Sequence, residues 1–350
     1  MRASQQPTPF GRISPPDGAR LGKHPPEPIL DPDLPLIDPH HHLWHRPGHR
    51  YVLDDFLADV RTGHHVVATV FEACHAMYRA SGPEELRPVG ETECVAGMAA
   101  MRDSGLYGPT RVAAGIVGFA DLTLGDRVEP VLEAHIRVGG GRFRSVRYSA
   151  GWDANERIGN SRTATGPHVL RQAHVRVGLA RLTALDLAFD AWIYHPQLAD
   201  VIDLARAFPT TTTIMCHVDG PLGYGPYAGK QDEVFASWKS TMTEPARCQN
   251  VVIKLGGMLN RLAASDFWAR PAPILSTELA EYWRSDMGTY IELFGLERCM
   301  FESNCPVEKM GVGWVTLWSA LKRIAAGASP EAKRFLFSDT AQHVYNPHLE

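Results

Sequence analysis

Histidines, carboxylates and cations recur at the ends of short apolar runs in this chain. His40 and His42 stand two apart in the run Asp38-Pro39-His40-His41-His42. In an extended segment alternate residues share a face, so both imidazoles can point the same way. Neutral imidazole is a common ligand for zinc and related ions. His195 and His217 close two further runs, and about three protein ligands with one open position suit a catalytic metal. His41 falls on the opposite face and reads as a packing residue. Glu72 and Glu302 end two more runs, and Asn304 lies two residues beyond Glu302, so parity turns both of the latter inward. A carboxylate in such a low-dielectric place has a raised pKa unless a cation is near, which suits a general base. The competing use of either glutamate is a buried ion pair with Arg144, Arg147 or Lys254. An arginine fork matches the two oxygens of a carboxylate. Arg147 and Lys254 therefore suggest an acidic substrate, with charge compensation of Glu72, Glu302 and Asp153 as the alternative. Trp44 and Tyr78, with Trp152, Trp192 and Tyr224, could line a pocket, although each alone could equally pack in a core.

Eight short β-branched or apolar runs must carry these groups: Leu36–His41, Val66–Phe71, Val112–Val117, Phe143–Tyr148, Leu187–Tyr194, Thr212–His217, Val251–Leu255 and Cys299–Ser303. Amphipathic stretches lie between them, among them Pro83–Ser104, Arg127–Gly139, His168–Thr183, Pro196–Phe208, Gln231–Thr243 and Ser276–Phe294, and Trp314–Ala326 and Pro330–Val344 follow the last run. This alternation of strands and helices predicts parallel strands with crossover helices. The span from first to last strand is near the roughly 250 residues typical of a (β/α)8 TIM barrel, whose chemistry gathers at the C-terminal strand ends. A doubly wound open sheet is the rival. It lacks a phosphate loop: Gly223-Tyr224-Gly225-Pro226-Tyr227-Ala228 is interrupted by proline, and Gln231 follows Lys230 where a P-loop needs Ser or Thr. No G-x-S-x-G elbow occurs, which weakens a serine-hydrolase reading. Residues 1–33 are polar and proline-rich and read as an extended, disordered tail without a core of its own, or as a strap on the domain. Residues 34–350 form the barrel domain.

Composition narrows the function classes. Hydrophobic residues make up 44% and charged residues 21%, which are globular values and exclude a disordered polyelectrolyte. A formal charge of −4 argues against nucleic-acid binding through bulk charge. No apolar run of about 20 residues exists to span a membrane. The six cysteines have no CxxC spacing and read as reduced thiols, and Met1–Pro35 lacks an apolar signal segment. Together these predict a cytoplasmic protein without membrane or nucleic-acid partners, its partner a small acidic molecule and a homodimer its default assembly.

In this order and spacing, DPHHHLW at Asp38–Trp44, the pair His195-Pro196, CHVDGP containing His217, and FESNCP near the end resemble the amidohydrolase-2 family. This branch of the amidohydrolase superfamily contains predicted metal-dependent TIM-barrel hydrolases. The resemblance covers about residues 34–347. It implies a distorted barrel with a mononuclear metal site, although some lactonases of the family work without metal. His40 and His42 match the family's first-strand H-x-H. His195 matches a fifth-strand histidine of its decarboxylase branch, and His217 the sixth-strand histidine. The family's last-strand signature S-D-x-P reads Ser303-Asn304-Cys305-Pro306 here. The aspartate that ordinarily ligates metal and serves as base is thus an asparagine, which cannot take a proton but can ligate weakly or hold water.

The resulting expectation is a hydrolase, foremost a lactonase that opens a carboxylated or sugar-derived lactone with activated water. His40, His42, His195 and His217 would hold Zn2+, with Mn2+ as the alternative and a metal-free lactonase a further one. Glu302 or Glu72 would accept the water proton, with Asn304 and His217 beside them. Arg147, Lys254, Trp44 and Tyr78 would contact substrate. A non-oxidative decarboxylase of an aromatic or unsaturated acid, and a non-catalytic small-acid-binding barrel, are the rival readings.

Overall fold

The computed structural model describes residues 14–23, 27–155, 158, 160, 161, 163, 166–257, 267 and 270–347. The described residues form ten strands: β1 (Leu36–His41), β2 (Trp44–Arg46), β3 (His49–Tyr51), β4 (Val66–Glu72), β5 (Arg111–Gly118), β6 (Phe143–Ser149), β7 (Ala188–Trp192), β8 (Thr213–Met215), β9 (Val251–Leu255) and β10 (Cys299–Phe301). β2 and β3 form a small antiparallel hairpin, and the other eight make one parallel sheet in sequence order. A parallel bridge from His41 to Cys305, with the His42 amide donating to the Cys305 carbonyl at 2.7 Å, joins the last strand's continuation to the first. The ring is a TIM barrel, as the alternation predicts. The helices are α1 (Gly18–Leu21), α2 (Leu53–Val60), α3 (Val89–Asp103), α4 (Glu129–Val138), α5 (Ala173–Ala184), α6 (Leu198–Ala207), α7 (Gln231–Ala246), α8 (Ser276–Phe294), α9 (Trp314–Ile324), α10 (Pro330–Arg334) and α11 (Thr340–Tyr345). None of the described helices is long and apolar enough to cross a membrane.

The barrel interior is stratified. Ile37, Val70, Ala188, Ile214, Val252 and Met300 form an apolar cluster, completed by Ala341 and Tyr345 of α11. Arg144 holds the end of α11 by donating from Nε to the Tyr345 carbonyl at 2.9 Å. Two residues further along the same chain paths stand Glu72, Asp190, Cys216, Lys254 and Glu302, all buried. Side chains alternate in a strand with period two, so the same inward face changes from apolar to ionisable as it rises.

Part of the leader packs on the barrel rim. Arg20 of α1 is buried and donates to the carbonyls of Phe267 (3.2 Å), Met310 (2.7 Å) and Gly311 (2.9 Å). The Glu27 carboxylate accepts from the Ser276 amide at 3.1 Å, at the start of α8, and from Thr316 Oγ1 of α9 at 2.9 Å. Charge-assisted bonds to orphan backbone groups are among the stronger ones available.

Candidate functional site

His40 and Glu302 meet although His40 does not sit where simple alternation from Ile37 puts it. Pairing of β1 with β4 slips between Asp38 and His41. This bulge lets His40 face the interior three residues after the inward Ile37. Asp38 then braces the last strand, accepting from the Ser303 amide (3.0 Å) and Ser303 Oγ (2.6 Å). β8 ends at Met215, earlier than the expected Thr212–His217 run. His217 and Val218 follow with left-handed φ values of 56° and 48°. Such a conformation is costly for a branched residue, about 1–3 kcal/mol, and strain of this kind gathers at functional sites. It turns the His217 ring back over the barrel mouth.

Two glycines after β9 make room for the assembly. A Cβ on Gly257, at φ +65°, would stand 2.1 Å from His217 Nδ1. A Cβ on Gly256 would stand 2.4 Å from Glu302 Cγ. Only glycine tolerates both the close approach and, at Gly257, the positive φ.

Glu302 is suspended between two imidazoles. Its Oε1 accepts from His217 Nδ1 at 2.7 Å. Its Oε2 lies 2.7 Å from His40 Nδ1 but outside hydrogen-bond geometry, so this buried oxygen has no hydrogen-bond partner. Among the described residues no lysine or arginine is within ion-pair reach of it. Burial pushes the Glu302 carboxyl up to about 8 and that of Asp38 up to about 7. Burial also holds His40, His42 and His217 well below the usual imidazole range, so they are neutral and carry lone pairs.

His42 faces a different partner. Its Nδ1 donates to the Glu72 carbonyl at 2.8 Å, and its Nε2 lies 3.2 Å from Asn304 Oδ1. The Asn304 Nδ2 donates to Glu308 Oε1 at 3.0 Å, which orients the amide oxygen toward His42. Asn304 itself adopts φ 48°, a left-handed region that asparagine tolerates better than most residues. A neutral imidazole lone pair and an amide oxygen thus oppose each other, an acceptor pair that suits a cation or a water between them.

The remaining predicted residues divide. Glu72 takes the ion-pair alternative: Lys254 Nζ donates to its Oε2 at 2.8 Å. Lys254 also donates to Asp190 Oδ1 at 2.8 Å, and it is fully buried. Burial opposes its charge, but Asp190 and Glu72 outweigh burial and raise its pKa. This corrects its expected role as a substrate contact, because the ammonium is already spent on two carboxylates. Arg147 sits 3.6 Å from Glu72 Oε1, donates from Nη1 to the Ala73 carbonyl at 3.0 Å, and leaves Nε without a hydrogen bond. Trp44, expected at a pocket wall, is instead fully buried and stacks on His42 at 5.8 Å, so it supports that ring from behind. Tyr78 pairs with His75 Nδ1 at 2.7 Å. His195 is not drawn into the cluster. It opens the turn after β7, where its Nδ1 accepts from the Leu222 amide at 3.3 Å and its ring meets Tyr227 edge-on. Beside it is a cleft of about 540 Å³ lined in part by Trp152, Asp153, Pro196, Gln197 and Tyr227. The expected substrate loop 150–166 falls partly outside the described residues.

Two donor groups emerge among the described residues: His40 with His217 and Glu302, and His40 with Glu72 and Cys216. Within each, the ligand atoms lie within 4.8 Å of one another. Two neutral imidazoles with a carboxylate suit zinc and similar ions, and the orphaned Glu302 oxygen is one such donor. Sequence reasoning missed Asp190, Gly256 and Gly257. An aspartate inside the otherwise apolar run LAFDAWIY was the available signal for the first.

Comparison with known proteins agrees with this architecture. The chain is 27% identical over 339 residues to the uncharacterised protein y4mH of Sinorhizobium fredii, covering 89% of this chain and 99% of that one. It is 25% identical over 236 residues to L-fucono-1,5-lactonase of Burkholderia multivorans, covering 67% and 72%. A crystal structure of an amidohydrolase from Burkholderia multivorans with bound zinc shares the fold with a TM-score of 0.68 and 21% identity, covering 89% of this chain and 99% of that one. The family profile described as Amidohydrolase (Amidohydro_2) matches residues 37–346. The chain therefore belongs to the amidohydrolase family and is a hydrolase built on a TIM barrel.

Proposed function

We propose that this hydrolase is a lactonase that opens a carboxylated or sugar-derived lactone by attack of water. The observation that carries the reading is Glu302, held 2.7 Å from both His40 and His217 with no lysine or arginine of the described residues within ion-pair reach. His40, His217 and Glu302 would hold a divalent ion, zinc or alternatively manganese. Such an ion, when bound, polarises a carbonyl and lowers the pKa of a water. Glu302 takes the water proton as general base. His42 and Asn304 orient the water through their facing acceptors. Arg147 orients the acid group of the substrate with the part of its fork that Glu72 and Ala73 leave over. The similarity to L-fucono-1,5-lactonase supports the choice of a lactone.

The test is ring opening of a panel of carboxylated and sugar lactones, followed by acid release. Opening that Glu302→Gln abolishes is the expected result. Release of CO2 from aromatic acids with no lactone opened would replace the reading with the decarboxylase alternative. Opening that survives exhaustive chelation would remove the ion and leave a metal-free lactonase.

A further inference from the structure

The two donor groups overlap at His40, whose one neutral lone pair serves only one cation, so a second cation would rest on Glu72 and Cys216 with the adjoining Asp190. Lys254 stands in the way of the second. Its Nζ lies 2.8 Å from Glu72 Oε2, 2.8 Å from Asp190 Oδ1 and 3.5 Å from His40 Nδ1. It thus faces two members of the group His40–Glu72–Cys216. Asp190 is itself fixed by Tyr345 Oη (2.6 Å) and Ser145 Oγ (2.5 Å), and Cys216 Sγ lies 3.7 Å from its Oδ1. The ammonium is therefore seated between two carboxylates, one of them itself fixed by two hydroxyls.

We propose that Lys254 is a built-in cation occupying what would otherwise be a second metal position, so that the mouth takes a single divalent ion. This rests on the reading of His40, His217 and Glu302 as the first position. Without Lys254, the carboxylates of Glu72 and Asp190 stand beside a thiol with only Arg147, 3.6 Å from Glu72 Oε1, to offset them, and Asp190 has no ion-pair partner left among the described residues. That deficit is what a second ion, bound with release of the Cys216 proton to solvent, would fill.

The experiment loads the full chain with Zn2+ or Co2+ and counts ions per chain after gel filtration. Wild type is expected to hold one. Lys254→Ala is expected to hold two, and its cobalt form to gain a thiolate-to-cobalt absorption band that Lys254→Ala/Cys216→Ser lacks. Two ions in wild type, or a folded Lys254→Ala with no additional ion and no thiolate band, overturns the proposal. Should Lys254→Ala not fold, Cys216→Ser in the otherwise unchanged chain decides. An ion retained with affinity changed less than threefold supports the proposal, and a lost ion overturns it. A wild type that binds no ion, beside a Lys254→Ala that binds one with the thiolate band, defeats the first-position reading and leaves this inference standing.

Discussion

The lower and upper interior of the barrel are built from the same strands, two residues apart, and they obey opposite rules. Below, Val70, Ala188, Ile214, Val252 and Met300 fill space with apolar atoms and Tyr345 seals them. Above, Glu72, Asp190, Cys216, Lys254 and Glu302 bury ionisable groups at equal depth. Buried apolar side chains stabilise by about 1.5–3 kcal/mol each. Buried charges cost free energy unless paired, and a broken pair costs about 3–5 kcal/mol. The lower layer therefore supports the fold, and the upper layer is a load that the fold carries for chemistry. Within the upper layer the acids differ again: Glu72 and Asp190 share Lys254, whereas Glu302 is left to two histidines.

Placing an acid in the lower layer should erase the distinction and have the largest effect. Ile214→Asp buries an unpaired carboxylate, and the soluble folded fraction seen by circular dichroism and gel filtration should be lost. In the upper layer, Glu302→Gln should keep the fold and lower turnover by about 10³-fold, the scale of a general base. Turnover within tenfold of wild type would make Glu302 structural. Gly257→Ala should displace His217 and cut turnover by about 10–100-fold, since a misplacement near 1 Å has consequences of that order. Its melting temperature should fall less than that of Ile214→Asp.

A pH series separates the layers without mutation. Glu302 and Asp38 have raised pKa values, so the folded chain binds their protons more tightly and loses that stability as pH rises to about 8. The depressed histidines act in the opposite sense, but only below their ordinary value of 6.5. The metal-free chain should therefore melt at progressively lower temperature between pH 6.5 and 8, and Glu302→Gln should flatten that slope. The smallest effect should come from His41, whose Nε2 meets Thr69 Oγ1 at 2.9 Å and whose ring stacks on Phe56 at 4.1 Å. His41→Phe keeps the stack, so urea unfolding should shift by no more than about 1.5 kcal/mol, the range of volume-conserving swaps, with turnover unchanged.

Much of the barrel was legible because strand periodicity is a local property. All eight runs became barrel strands, and Val251–Leu255 has the bounds expected of it. His41 also lies where parity put it. Parity failed where the chain departs from regular extension. The slip between Asp38 and His41, and the left-handed His217, depend on contacts with β4, Trp192 and Gly257 that are distant in sequence. His195 illustrates the same limit: a strand-end histidine was visible, but the turn that aims it at Leu222 was not. Lys254 could be read either as a substrate contact or as an ion-pair partner, because its two carboxylate partners lie 64 and 182 residues away. Charge partners across a barrel leave no local trace.

The Tyr345 seal has a consequence for how this protein comes into being. A nascent chain can pair its strands from β1 onward, yet the floor of the ring stays open, and Asp190 lacks one of its partners, until residue 345 has left the ribosome. At about 5–20 residues per second this delay lasts many seconds after the first strand emerges. Completion of the interior therefore waits for the segment around residue 345, and chaperones would meet a half-closed cylinder rather than a growing finished one.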